Sequence, residues 1–346
     1  MANLVTVTKE GRIFLKIGGI AAGALLLIYI IVKGGELAKA VFFPKPPPVP
    51  LQAFGKLPRV PFPSKGSEEI TYTINTTDGE LPAFVDRVNV YTLITPEPNL
   101  RTLETAKNTL DSENFVLNQV KISDTLYQWT QAETGVIIKY DIITKNFTLA
   151  SNYLYNPDLG SNNLLPDEQS IQDDTLGFLR TIQANTENID LSKTKVEYLE
   201  KTNGIIIAAQ NLGTARYARI NFQQNAIDEI SIVYDKPSES TINFVVSYPA
   251  SDFKVLEGQF FNPTINMEQK SDYPIKTTQE AFANLKNGNA YIINPQNLSN
   301  VDITNVELHY YLSNVTKDYL LPVIVFTGIN NFTAYVEAIS PTSLLD

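Results

Sequence analysis

The spacing of apolar positions changes twice along this chain. Residues 17–32 (IGGIAAGALLLIYIIV) carry no charge, so a helix here is apolar on every face, the pattern of a membrane span and not of a surface helix. Ile13–Leu15 extend the run past Lys16, whose stem can snorkel towards the headgroups. Over 13–33 the segment is long enough for a hydrocarbon core of roughly 30 Å at about 1.5 Å per residue. Ile17, Gly19, Gly23, Leu26, Ile30 and Val32 are its anchoring positions, and Tyr29 and Lys33 fall where an interfacial belt is expected. The competing reading is a cleavable signal peptide, since Ala38-Lys39-Ala40 has the A-x-A form. The apolar run is long for an h-region and the A-x-A lies well beyond its end, so a retained anchor is expected.

Charge does not orient this anchor. Lys9, Arg12 and Lys16 flank one end and Lys33, Lys39 and Lys45 the other, a balanced positive-inside count. The short leading tail, 1–12, places the N-terminus inside and the remainder outside the cytoplasm. Gly19 and Gly23 form GxxxG, with Gly18 and Ala22 in the same small-xxx-small pattern, which can seat a second copy as a homodimer.

After the anchor the pattern loses all period. Within a linker expected over 34–65, the stretch 44–63 (PKPPPVPLQAFGKLPRVPFP) is dominated by proline, beginning with Pro44, Pro46, Pro47, Pro48 and Pro50. Proline fixes φ, lacks a donor and biases its predecessor to extended geometry, which excludes helix and central strand. Polyproline II at about 3.1 Å per residue would make 44–63 a stalk of roughly 60 Å. Pro47-x-x-Pro50 also has the form of an SH3 ligand.

From residue 66 onwards helical and strand periods alternate, which predicts an α+β class with two lobes, 66–158 and 159–346. Leu100–Leu110 is a first helix after Asn99, and Pro166–Gln183 a second, opening on proline and acids. In the third, Thr277-x-x-Glu280 reads as a capping box, with Asn287-Gly288 as the stop. Val136–Ile142, Ile205–Ala209, Tyr217–Phe222, Ile230–Tyr234 and Ile242–Tyr248 read as strands. Leu308, Tyr310 and Leu312 alternate with Glu307 and His309, and Phe332, Ala334, Val336 and Ala338 form another stripe. Short connections predict antiparallel pairing, with helices on one face of twisted sheets. A helix followed by strands and then Asn-Phe-Thr occurs twice, at 146–148 and 331–333, and suggests an internal repeat.

Composition removes several functions. A net charge of −10 gains nothing from counterion release, so nucleic acid is not an expected partner. The chain has no cysteine and one histidine, His309, which excludes disulfides, thiol chemistry and HExxH zinc sites. Ser192-x-x-Lys195 and Ser251-x-x-Lys254 match the SxxK nucleophile motif, but no SDN or KTG completes it and neither serine sits on an expected helix. His309 lies on a strand with no G-x-S-x-G elbow to join it. Asp167-Glu168 and Asp173-Asp174 read as acids favouring a helix start, because adjacent helix positions do not converge. No cofactor, metal or catalytic residue is expected.

The stretch 277–339, with TTQEAFANLKNG, VELHYYL, YLLPVIVF and FTAYVEAI, resembles YycH/YycI-type accessory regulators of a bacterial two-component system and, more loosely, PepSY-like modules. That resemblance implies a single N-terminal anchor, extracytoplasmic helix-plus-sheet modules and work by protein contact without catalysis; the long proline stalk departs from the pattern. The expectation is a bacterial, single-pass cell-envelope protein bound to the lipid bilayer by its first helix, acting as a regulator or scaffold on a protein or peptide partner. The alternative is an envelope hydrolase using Asp and Glu carboxylates, which requires two acids gathered in one cleft.

Overall fold

The computed structural model describes Tyr29 and residues 51–63, 70–293 and 299–345. The chain divides into two units, 1–49 and 50–346. The expected anchor and its GxxxG, Tyr29 apart, and Pro44, Pro46, Pro47, Pro48 and Pro50 lie outside the described residues. Among the described residues no helix is long and apolar enough to cross a membrane.

The second unit is mixed α+β and mostly strand. It runs β1 (Thr71–Ile74), β2 (Arg87–Ile94), α1 (Thr102–Asp111), β3 (Phe115–Lys121), β4 (Leu126–Gln131), β5 (Ile137–Asp141) and β6 (Phe147–Ala150). There follow α2 (Glu168–Thr181), β7 (Ile189–Thr202), β8 (Ile205–Ala208), β9 (Tyr217–Gln224), β10 (Ile232–Val233), β11 (Ile242–Ser247) and β12 (Lys254–Phe260). The last part is β13 (Thr264–Pro274), α3 (Thr278–Lys286), β14 (Tyr291–Ile293), β15 (Asn300–Tyr311), β16 (Tyr319–Gly328) and β17 (Thr333–Glu337).

All three expected helices form, each for a local reason. Thr277 accepts from the Glu280 N–H at 3.2 Å while Glu280 accepts from the Thr277 N–H at 2.8 Å, so the capping box is complete. Asp167 caps α2 through the Ser170 N–H at 2.8 Å. Before α1, Asn99 instead accepts from the Arg101 N–H at 2.9 Å, so that it closes a turn and the helix begins later than the sequence predicts.

Two sheets result. The nine-stranded sheet has the order β3-β4-β5-β6-β12-β11-β9-β7-β8. It contains two modules of the same plan, α1 with the meander β3–β6 and α2 with β7, β9, β11 and β12. Their last strands pair antiparallel, with Phe147 opposite Phe260 and Leu149 opposite Gly258. Both helices lie on one face, where Ala106, Leu110, Ile171, Phe178 and Leu179 share a core with Tyr140, Phe147, Phe244 and Phe260. Gly258 has φ +149°, and a Cβ there would stand 2.3 Å from the Asn243 carbonyl oxygen, so only glycine fits beside β11. The expected lobe limit at 158/159 falls between these modules without separating two bodies, because β6 and β12 pair across it.

The other sheet has the path β1-β15-β16-β17-β14, with β2 joined to β13 and β16 and β10 joined to β15. Its helix, α3, packs Phe282 against Phe326, ring centres 6.1 Å apart. A third helix-plus-four-strand unit is thus present, but β14 pairs with β17 instead of β15, so the internal repeat keeps its element order and changes its strand order. Pairing is not wholly antiparallel: β1 and β10 both run parallel to β15. Each reaches β15 from a distant part of the chain, where no short turn dictates direction.

The expected stalk is corrected over 51–63. This stretch is a strap across the second sheet. Leu57 and Val60 stand three apart, the repeat of an extended proline-rich chain, and both are buried. The Leu57 N–H donates to the Ser343 carbonyl at 2.8 Å, and the Leu345 N–H to the Leu57 carbonyl at 2.8 Å. Val60 N–H donates to Glu337 at 2.9 Å and Phe54 N–H to the Tyr273 hydroxyl at 3.0 Å. Phe62 lies edge-on to Tyr311, centres 5.2 Å apart. Proline excludes helix and ladder, yet its non-proline neighbours keep donors that the sheet rim satisfies. Leu57→Ala should lower stability by about 2–5 kcal/mol, measured by urea unfolding, whereas a solvated linker would show no change.

Candidate functional site

The face of the nine-stranded sheet away from α1 and α2 carries a polar row beside a small apolar cluster of Leu199, Tyr217, Val245 and Leu256. Asn221, Asn243, Gln259, Thr148 and Lys139 are successive register partners on β9, β11, β12, β6 and β5. They form one row across the sheet at about 4.8 Å per strand. The middle of this row, at the seam of β6 and β12, is the floor of a cleft of about 480 Å³. One wall is the end of β2, Leu93–Pro96, and the other is the β15–β16 turn with Asn314, Lys317 and Asp318.

Side-chain amides build the cleft. Asn146 Oδ1 accepts from the Asn262 N–H at 3.1 Å, and Asn262 Nδ2 donates to the Asn185 carbonyl at 2.7 Å. Buried Gln224 donates to Asn262 Oδ1 at 3.4 Å. Asn314 Nδ2 donates to Gln259 Oε1 at 2.6 Å, tying the turn wall to the floor. The Leu93 N–H donates to the Asp318 carbonyl at 2.7 Å and joins the two walls. Two acids line the cleft, but Asp141 already accepts from the Thr125 hydroxyl at 2.6 Å, the Ile143 and Thr144 amides at 3.0 and 2.8 Å, and the Thr144 hydroxyl at 3.0 Å. That carboxylate clasps a turn, with three of these bonds at Oδ1 and one at Oδ2. Lys139 and Lys317 enter none of the ion pairs found among the described residues.

A finger braces the cleft from behind. Between β9 and β11 the chain leaves the nine-stranded sheet, and Ile227, Ile232 and Tyr234 enter the core of the other one. Asp228 accepts from the Tyr91 hydroxyl and from Asn89 Nδ2 at 2.8 Å. Asp235 accepts from the Tyr311 hydroxyl, and its carbonyl from the Tyr291 hydroxyl at 3.0 Å. The expected strand Ile230–Tyr234 is reduced to the two residues of β10, and Ile230 instead exchanges backbone hydrogen bonds with Ile227 across a tight turn. The Tyr91 hydroxyl, then Asn89 and the nearby Lys270, hold the Asp228 carboxyl below its ordinary range.

The motif residues lie elsewhere. Ser192 is in β7, bonded to Asp190 at 2.6 Å, and Ser251 is in a short 3-10 turn, so neither SxxK serine is on an α-helix. Lys254 is paired with Glu133 and Asp252 at 3.0 and 2.8 Å. His309 sits on β15 beside Glu307 at 3.3 Å and does not line the cleft. Asp167 caps α2, Asp173 accepts from Gln169 at 3.0 Å and Asp174 from Tyr248 at 3.0 Å. Among the described residues no group of acids or histidine is arranged to hold a metal. Lys139, Thr148, Gln259, Asn314 and Lys317 carry no local motif, since they meet only through the seam and the turn. Asn146-Phe147-Thr148, read from the sequence only as a sign of an internal repeat, opens β6; Phe147 and its counterpart Phe332 are both buried, and Thr148 lines the cleft.

No protein-family model and no curated protein matches the sequence. Among solved structures, similar chains include an uncharacterized protein from Eubacterium rectale ATCC 33656, at 12% identity and TM-score 0.36, covering 78% of this chain and 86% of that one. The Bacillus megaterium YpeB C-terminal domain is similar at 10% identity and TM-score 0.30, covering 72% of this chain and 96% of that one. Scores of this size carry no inference about activity.

The finger predicts a pH signature. Because the folded pKa of Asp228 lies below the unfolded carboxylate value of roughly 3.9, its contribution is present above that value and lost as pH falls through the depressed one. Asp228→Asn should cost on the order of 1 kcal/mol at neutral pH. In thermal melts the gap to wild type should close below pH of about 4; a gap constant from neutral to acid pH would show that this clasp does not titrate.

Proposed function

We propose that this chain is a single-pass, membrane-anchored extracytoplasmic protein that works by contact, holding part of an envelope protein or peptide in the amide-lined cleft. The observation that carries the reading is the cleft itself. Its floor and walls are joined to one another by hydrogen bonds, which favours a rigid, preorganised site. A preformed concave site with a few convergent polar groups is the usual form of a recognition site. The charge-free run at 17–32, extended past Lys16 to Ile13, supports the anchor. The resemblance to YycH/YycI-type regulators favours a regulatory or scaffold role, with no catalytic step. The GxxxG at Gly19 and Gly23 supports a dimer within the bilayer.

The test uses the full-length chain in bacterial membranes, with a photo-crosslinking phenylalanine in place of Thr148 on the cleft floor or Lys107 on the exposed side of α1, and a topology reporter at the C-terminus. The reporter should be active only outside the cytoplasm. A protein adduct should form from position 148 and not from 107. A reporter active only inside would overturn the location, and equal or absent adducts at the two positions would overturn the cleft as the contact site.

A further inference from the structure

The cleft offers more specific chemistry than polarity alone. Lys139 projects from β5 on the floor side and Lys317 from the β15–β16 turn, two ammonium groups on different elements of one cleft of about 480 Å³, neither used in an ion pair among the described residues. Asp141 and Asp318 equal them in formal charge, so the cleft has no strong net field with which to collect a bare anion. What it has is two cationic donors that line one cleft together with the apolar side chains of Leu93, Ile94 and Leu126. The Asn314–Gln259 bond at 2.6 Å ties floor to wall at one side, and a chain threaded through that side would have to break it. A chain end would not.

We propose, resting on the contact reading above, that the cleft binds the C-terminus of a peptide: its terminal carboxylate is clasped by Lys139 and Lys317, and an aliphatic last side chain lies against Leu93, Ile94 and Leu126. Charge-assisted bonds from two lysines suit a carboxylate, and capture of a chain terminus by backbone and side-chain donors is an established recognition mode. The Asp318 carboxylate and Thr148 hydroxyl line the same cleft and can take the peptide N–H and carbonyl groups that precede the end. The lysines act as positioning charges, and the apolar wall selects the side chain. Inorganic phosphate has no group for that wall.

The experiment is fluorescence polarisation with the full-length protein in detergent micelles and four labelled probes. They are Gly-Gly-Ala-Leu with a free carboxylate, the same peptide amidated, Gly-Glu-Leu-Gly amidated, and sodium alginate as an anionic glycan. The free acid should bind and the amide should bind at least tenfold more weakly. Lys139→Gln and Lys317→Gln should each weaken the free acid about tenfold, while Lys107→Gln on α1 leaves it unchanged. Raised salt should weaken the free acid and leave the amide unaffected.

Equal binding of acid and amide, both abolished by Thr148→Trp, would overturn the carboxylate assignment while leaving the contact reading in place. Preference for the internal glutamate would overturn the chain-end assignment. Lysine-dependent binding of alginate alone would show a glycan site and overturn the peptide. No binding of any probe at millimolar concentration would also overturn the proposal, whereas the adduct from position 148 reports on the contact reading separately.

Discussion

Everything in the folded body depends on one short seam. Only three residue pairs join β6 to β12, yet they fuse two helix-plus-strand modules into a single sheet. Their hydrogen bonds alone would be a slender connection, since each contributes about 1 kcal/mol net. The apolar face supplies the rest. Phe147 and Phe260, opposite each other across the seam, stack with ring centres 5.4 Å apart and planes within 8°. Phe178 from α2 and Phe244 from β11 close over them. The seam is therefore both the centre of one core and the floor of the cleft, because alternate side chains of the same two strands point to opposite faces.

Two further closures act across long distances in sequence. The finger between β9 and β11 places Asp228 and Asp235 among tyrosines of the other sheet. Burial and then the neighbouring carboxylate push the Tyr91 and Tyr311 hydroxyls far above their ordinary range, so both remain protonated donors. The strap brings Leu57 against the last residues of the chain. Beside it, Lys276 is buried and donates to the Glu337 and Ile339 carbonyls at 2.6 and 2.9 Å. Burial lowers its pKa, and Glu337 acts in the opposite direction. Glu337 in turn accepts from Val60 and pairs with Arg59 at 3.2 Å. One carboxylate thus serves strap, strand and buried cation together.

These closures fix the shape of the cleft. Its two walls belong to the second sheet and its floor to the first, and strap and finger hold the second sheet in shape. Among the described residues Lys139 and Lys317 enter no ion pair, in a chain that has an excess of acids. The cost of leaving them so is small while solvent reaches them, which is how a surface can keep binding groups free. Exposed apolar residues elsewhere, such as Val116, Val120 and Ile205 on the outer strands, lie beside bulges or lysines that discourage edge pairing.

Local chemistry was legible in the sequence wherever its determinants are local. The capping box at Thr277, the capped start of α2 and the β-branched and aromatic run of β11 act over a few residues, so a window of that size contains the physics. The charge-free run at 17–32 is likewise read from one segment. Tertiary structure decided the rest. Residues 51–63 have the composition of a stalk, and only the presence of a sheet rim with free acceptors makes them a strap. The third repeat keeps its helix and strands, but β14 lies beyond β17 because that edge was open. The cleft residues come from positions as far apart as Lys139 and Lys317; no spacing along the chain encodes a meeting that depends on which strand edges pair.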